Sequence, residues 1–405
     1  MTETPQAPAA PSTGTRKVRD LSGPGITTEF GMEGTDLGIL ARTPSGRLLA
    51  VFGDTFAGAG VGAPHVGRPH PGIAQCAPTT DDRPGPGNPD WRSPVGLFSD
   101  TSDPADGLQW AEAAGPGPRD YASQLLDYVH GRGCSTVLPS DVLTIGDTMY
   151  LHVMVNEGLG NVIRTQIHRS TDDGRTWEPT GAEFSRLLEG GHRQLWTWER
   201  GHDGWVYVMS TGFQRDKGVI LMRVREEHLA GADTTNWQTF GHHKGEWGWG
   251  NPTTIVLPGR IGEMYLRRCE DFWSLTYFDA EHYRIDCLTF PDIGADLLDR
   301  SVTGHTTLLP GSAWGDESDG TDPSAGPARV AQLYGGCPVP GSTPEQWHFV
   351  VSQWNTHDSA AGPAGWPYRS MQFVGTIPRP PGHTAARTAP PTTTHARPQD
   401  PAPGR

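Results

Sequence analysis

Asp36 and Asp54 stand at equal distance from the centre of a Pro44-Ser45-Gly46 turn signal, since the midpoint of 36 and 54 is 45. Strand-like runs flank that turn, Asp36 to Ala41 on one side and Arg47 to Gly53 on the other. In an antiparallel hairpin folded there, the two aspartates face each other at its open end. Neighbouring strands lie ~4.8 Å apart, so the carboxylates come within roughly 5 to 9 Å of each other. A carboxyl pair at such a separation can cleave a glycosidic bond, one group protonated as general acid and the other ionised as base or nucleophile. Mutual repulsion helps part their pKa values. The plainer reading makes both residues strand-end turn formers. The neighbours favour chemistry: Gly34-Thr35-Asp36-Leu37-Gly38 and Gly53-Asp54-Thr55 leave room beside each carboxylate, and Thr35 and Thr55 offer hydroxyls to a substrate.

Other residues could join the pair. Glu263, Asp141 and Glu199 each fall near the start or end of an expected strand and are candidates for a third acid; a solvated or salt-bridged carboxylate is the ordinary alternative. Gln353, Trp354 and Asn355 close a strand in the run SQWN and are candidates for substrate contact. Trp354 either stacks on a sugar ring or packs in the core. Arg215 follows a Thr-Gly-Phe-Gln turn, where it contacts sugar hydroxyls or pairs with a loop acid. The 16 His include one adjacent pair, His242-His243, and no H-E-x-x-H run, so neither a catalytic metal nor a cofactor is expected. A structural calcium ion in a central channel stays open. No G-x-S-x-G elbow or phosphate-binding glycine loop occurs, which argues against esterases and nucleotide enzymes.

The elements that must position these residues are short strands. In 405 residues there are 53 Gly, 37 Pro and only 19% charged residues, and long apolar runs with helical spacing are rare. That pattern is all-β. Strand runs fall into five groups: 36–41 with 47–53; 142–145 with 149–156 and 161–169; 194–199, 206–211 and 219–224; 253–257, 262–267, 273–278 and 284–289; 330–334, 348–353 and 371–374. Five such sheets packed radially make a five-bladed β-propeller, with a β-sandwich carrying long loops as the alternative. Ser170-Thr171-Asp172-Asp173-Gly174-Arg175-Thr176-Trp177 fits S-x-D-x-G-x-T-W, and resembles the structural turn of sialidase-like propellers called the Asp box. Its Ser and Asp brace a hairpin turn away from any active site, so Asp172 is not a catalytic candidate. Residues 1–19 read as a disordered leader, 20–375 as the folded domain and 376–405 as a Pro- and Thr-rich disordered tail. None of the five Cys forms a C-x-x-C pair; Cys269 and Cys287 fall on runs that could neighbour each other in one sheet and form a disulfide, or stay as buried thiols.

The runs GTDLGIL and LLAVFGDTF resemble the opening of the family filed as domain of unknown function 4185, associated with endo-D-arabinofuranases of glycoside hydrolase family 183. Similar stretches follow at DGWVYVMSTGFQR (203–215), IGEMYLRRCEDFWSLTYFD (261–279), QLYGG (332–336) and VVSQWN (350–355). The resemblance implies a five-bladed propeller, two essential aspartates at Asp36 and Asp54, and hydrolysis of the D-arabinan in mycobacterial-type arabinogalactan and lipoarabinomannan. A non-catalytic glycan-binding propeller of a phage tail or cell-wall adhesin is the competing class. A sialidase is disfavoured, because three spaced Arg to clamp a substrate carboxylate are not evident. The formal net charge of -14, without a basic stripe, argues against nucleic acid. No stretch approaches a membrane span, and no classical signal peptide is evident. An extracellular or virion-associated setting is expected.

Overall fold

A computed structural model describes residues 14–63, 91–101, 103–131, 133–158, 160–269, 271–355 and 366–384. The chain begins with β1 (Arg16–Asp20) and then lays down four sheets in sequence order. Blade I holds β2 (Gly34–Arg42), β3 (Leu48–Phe56), β4 (Val95–Ser99) and β5 (Glu112–Ala113). Blade II holds β6 (Thr136–Ile145), β7 (Thr148–Asn156), β8 (Val162–Ser170) and β9 (Glu178–Ser185). Blade III holds β10 (Leu195–Arg200), β11 (Trp205–Thr211), β12 (Val219–Arg225), β13 (Trp237–His243) and β14 (Glu246–Trp249), with β15 (Ile255–Leu257) against β12. Blade IV holds β16 (Ile261–Cys269), β17 (Phe272–Asp279), β18 (Arg284–Phe290), β19 (Gly304–Ser312) and β20 (Val330–Ala331). Blade V is β21 (Leu333–Pro338), β22 (Trp347–Trp354), β23 (Tyr368–Gly375) and, on its outer edge, β1.

The innermost strands β2, β6, β10, β16 and β21 neighbour one another in a closed ring, with β21 returning to β2. This is the five-bladed propeller. Middle strands are covered on both faces, which is why β3 and β17 read as nearly unbroken apolar runs and bury almost every residue. Trp196, Trp198, Phe184 and Ile167 fill the seam between blades II and III, while Leu221, Met264, Trp273 and Leu275 fill that between III and IV. Among the described residues, no helix is long and apolar enough to cross a membrane.

Some sequence expectations shift. Residues 16–19, placed in the leader, belong to β1, which pairs with β23 from Arg16↔Val374 to Asp20↔Met371. Residues 376–384, placed in the tail, run against blade V: Ile377 is buried and donates its N–H to Pro344 O at 2.9 Å, and Arg379 pairs with Glu345. Residues 253–257 contribute β15 to blade III rather than blade IV, because Ile255 and Leu257 pair with Ile220 and Val219. Cys269 and Cys287 form no disulfide with each other, since β17 lies between their strands; Cys76 lies outside the described residues.

The Asp-box turn joins β8 to β9. Ser170 Oγ accepts from Gly174 N at 2.9 Å, and Asp172 accepts from Thr176 N at 2.9 Å and Thr176 Oγ1 at 2.6 Å. Asp173 takes a left-handed φ of 63° and its carboxylate accepts from Ser45 N at 3.0 Å, docking the turn on the β2–β3 turn. Both turns lie at the end of the propeller opposite Asp36 and Asp54.

Candidate active site

Asp36 and Asp54 sit where β2 begins and β3 ends. The turn at Thr43–Arg47 closes as the sequence suggests, with Gly46 at φ 91° and Thr43 N donating to Arg47 O at 2.8 Å. The ladder runs Thr35↔Thr55 and then Leu37↔Phe52, so a bulge surrounds Asp36 and Asp54. Leu37 is held at φ 62°, a left-handed conformation that a branched side chain rarely takes. Blade V secures it: Leu37 N donates to Ser352 Oγ at 2.7 Å, and Ser370 Oγ donates to Leu37 O at 3.2 Å. The bulge turns the Asp36 carboxylate over Gly53, where any Cβ would collide with Oδ1.

The surroundings of the two carboxylates differ. Asp36 Oδ2 accepts from Tyr334 Oη at 2.8 Å, Tyr368 also hydrogen-bonds the group, and Oδ1 has no partner among the described residues. Burial, then the Asp54 charge, then Glu263 push the Asp36 carboxyl up to about 7, against the two tyrosine hydrogen bonds. Asp54 accepts from Thr136 Oγ1 at 2.6 Å and Trp91 Nε1 at 2.9 Å, and from Ser93. Burial raises Asp54 above its ordinary value, while those three donors favour its ionised form. Trp91 is itself clamped, stacked on His130 at 4.4 Å and on Phe56 at 6.1 Å.

Of the three third-acid candidates, one joins this group. Glu263, near the start of β16, accepts from Arg215 Nη2 at 2.6 Å, and its Oε2 is buried without a partner among the described residues. Arg215, itself at φ 56°, lies over the rings of Tyr334 at 5.1 Å and Phe278 at 5.3 Å. Arg215 is thus beside the pair, engaged by an acid. Asp141 is not a site acid. Its buried carboxylate is filled by a two-point ion pair with Arg267 at 2.7 and 2.9 Å, Thr197 Oγ1 at 2.7 Å and Trp198 N at 3.2 Å. Glu199 lies at the far end of β10, lining a cavity of 310 Å³ with Arg42, Thr144 and Pro338, at the opposite mouth of the channel.

The expected substrate contacts divide likewise. Trp354 is half-buried with its ring 6.2 Å from that of Tyr334, one aromatic group from Asp36. Gln353 is fully buried, donating to Glu317 Oε1 at 2.6 Å and Ala331 O at 3.0 Å, and serves blade V instead of a substrate. Asn355 is 1% exposed and donates to Trp366 O at 2.7 Å. Thr35 and Thr55 are fully buried with their hydroxyls 2.7 Å apart, sewing β2 to β3 beneath the aspartates. Sequence reasoning missed Tyr334, Tyr368, Trp91 and Thr136. Tyr334 lies in the QLYGG run, the one available signal; the others are single residues without a motif. Among the described residues, no group of three or more His, Cys, Asp or Glu could hold a metal ion.

A protein of Mycolicibacterium smegmatis, known as an uncharacterized 35.9 kDa protein in the asd 3' region, is 27% identical over 86% of this chain and 94% of its own. The notoamide biosynthesis cluster protein J' of Aspergillus versicolor is 29% identical over 86% of this chain and 88% of its own. A Bacteroides ovatus protein described as a candidate hydrolase shares the fold, with a TM-score of 0.53 at 12% identity over 85% of this chain and 86% of its own. The domain of unknown function DUF4185 matches residues 22–374, from just after β1 into β23, and the chain belongs to that family.

Proposed function

We propose that this protein is a glycoside hydrolase in which Asp36 is the general acid and Asp54 the ionised partner. One observation carries the reading: two carboxylates meet at one open hairpin end in environments that part their protonation states. Asp36, held at about 7, keeps its proton in mildly acidic solution and delivers it to the leaving glycosidic oxygen. Asp54, served by Thr136, Trp91 and Ser93, acts on the anomeric carbon either directly or through water. Glu263 keeps a negative charge near Asp36 and so favours its protonated form. Arg215 balances that charge. Trp354 offers an aromatic face beside the pair.

For the substrate, the resemblance to endo-D-arabinofuranases supports D-arabinofuranosyl linkages of mycobacterial-type arabinogalactan and lipoarabinomannan, cut within the chain by an extracellular or virion-associated enzyme. The test is release of reducing ends from mycobacterial arabinogalactan. Asp36→Asn and Asp54→Asn each lower turnover about 100-fold to 10,000-fold with unchanged circular dichroism, since an amide keeps the shape but cannot carry the proton. Near wild-type activity in either variant removes that residue from its role. Binding of arabinan without any release of ends favours a glycan-binding propeller instead. The anomeric configuration of the first product, read by NMR, separates direct attack by Asp54 from water activation.

A further inference from the structure

Between blades II and III lies a buried group of donors that the proposed chemistry does not use. Arg193, in the loop before β10, is 4% exposed. Its guanidinium stands in an aromatic cage, 5.0 Å from the ring of Trp237, 5.5 Å from Phe184 and 5.9 Å from Trp196. Those cation–π contacts offset part of the cost of burying the charge. Its Nε and Nη2 are buried and have no hydrogen-bond partner among the described residues. That edge of a guanidinium is one that grips an oxyanion with two parallel hydrogen bonds. Arg193 makes no ion pair with any described residue; Glu189, exposed on the adjacent turn, is the acid that supports its charge from a distance.

The neighbours are donors too. His152 of β7 is fully buried, stacks on Trp196 at 4.0 Å with the rings 6° apart, and leaves both ring nitrogens unpartnered. The indole Nε1 groups of Trp196 and Trp237 are likewise buried and unpartnered, with their rings 5.3 Å apart. Burial, then the charge of Arg193, holds His152 well below its ordinary pKa, so it stays neutral and brings one N–H. Buried donors without acceptors are rare, and a buried cation without a counter-charge is costlier still. Water would accept some of these bonds, but it brings no charge and adds donors of its own. A species that only accepts and is negative answers both needs.

We propose that Arg193 and His152 hold a small monovalent anion, chloride or a short carboxylate such as formate, that completes the seam between blades II and III. The site is independent of the reaction assigned to Asp36 and Asp54. The test uses the full chain, dialysed into gluconate buffer at constant ionic strength, with chloride titrated in one arm and formate in another. Above the dissociation constant, each tenfold rise in the bound anion lowers the unfolding constant about tenfold. The arm acting at lower concentration identifies the anion. Arg193→Met abolishes the dependence. Crystals of the native chain grown in bromide show an anomalous peak, or crystals grown in formate show a planar three-atom anion, against the Nε–Nη2 edge of Arg193, which decides the matter even if the variant does not fold. Stability indifferent to both anions, an equal response in Arg193→Met, or only ordered water at that edge overturns the proposal.

Discussion

One functional group, a carboxylate, is given two environments by what touches it. Asp36 has two tyrosines and a nearby negative charge, while Asp54 has three donors in contact. As the proposed general acid, Asp36 must be protonated to act, so kcat/KM is expected to fall as pH rises through about 7. Glu263 raises the Asp36 value, so Glu263→Gln moves that alkaline limb to lower pH, and the unpaired Arg215 pushes it the same way. Tyr334 donates to the ionised form, so Tyr334→Phe moves the limb to higher pH. A pH profile of kcat/KM on arabinan checks both signs; a limb that ignores both substitutions would detach Asp36 from the acid role. The aspartates were legible in the sequence because a turn placed at 45 forces 36 and 54 together. Their partners were not: Tyr334 and Tyr368 reach Asp36 from blade V across about three hundred residues, and spacing carries no information over such a gap.

At the scale of elements, the hairpin matters through its irregularity. A regular ladder would alternate Thr35, Asp36 and Leu37 between faces. The bulge breaks that alternation, and the left-handed Leu37 re-aims Asp36 over Gly53. Gly53 therefore shapes the candidate site: Gly53→Ala puts a methyl into the Asp36 carboxylate. The expected result is a loss of kcat of at least about 10-fold, because sub-ångström misplacement of an acid is costly, with a melting midpoint little changed. Activity equal to wild type would show that the carboxylate does not lie where the bulge directs it. The alternation rule found the strands but not the bulge, since the signal for a bulge is a glycine among strand residues and Gly38 and Gly53 also suit ordinary close packing. Thr35 and Thr55 were misread for a related reason. Their types suit substrate contact, but their register makes them a cross-strand pair sealed beneath the site.

The whole molecule is closed by its two ends. Five groups of strands were legible because each blade brings its own apolar runs. The closing strand was not, because Arg-Lys-Val-Arg-Asp is polar on both faces and has no hairpin partner nearby. Its partner β23 lies at the other end of the domain, and the ladder between them holds blade V to the start of the chain. Behind it, Leu21 is buried and donates its N–H to Ser370 O at 2.8 Å, while Asp20 pairs with Arg369 at 3.2 Å. Removing residues 1–20 leaves the N–H and C=O groups along one side of β23 bare, an edge open to other chains. Compared with a chain beginning at Gly14, that deletion should lower the melting midpoint by about 5 °C or more and promote association. Activity should fall further than folding alone explains, because β23 begins at Tyr368, which hydrogen-bonds Asp36, and carries Ser370, which fixes the bulge at Leu37. The closing strand thereby reaches Asp36 through one neighbouring strand. A truncated protein with unchanged midpoint and full activity on arabinan would mean that the ring holds without its seam.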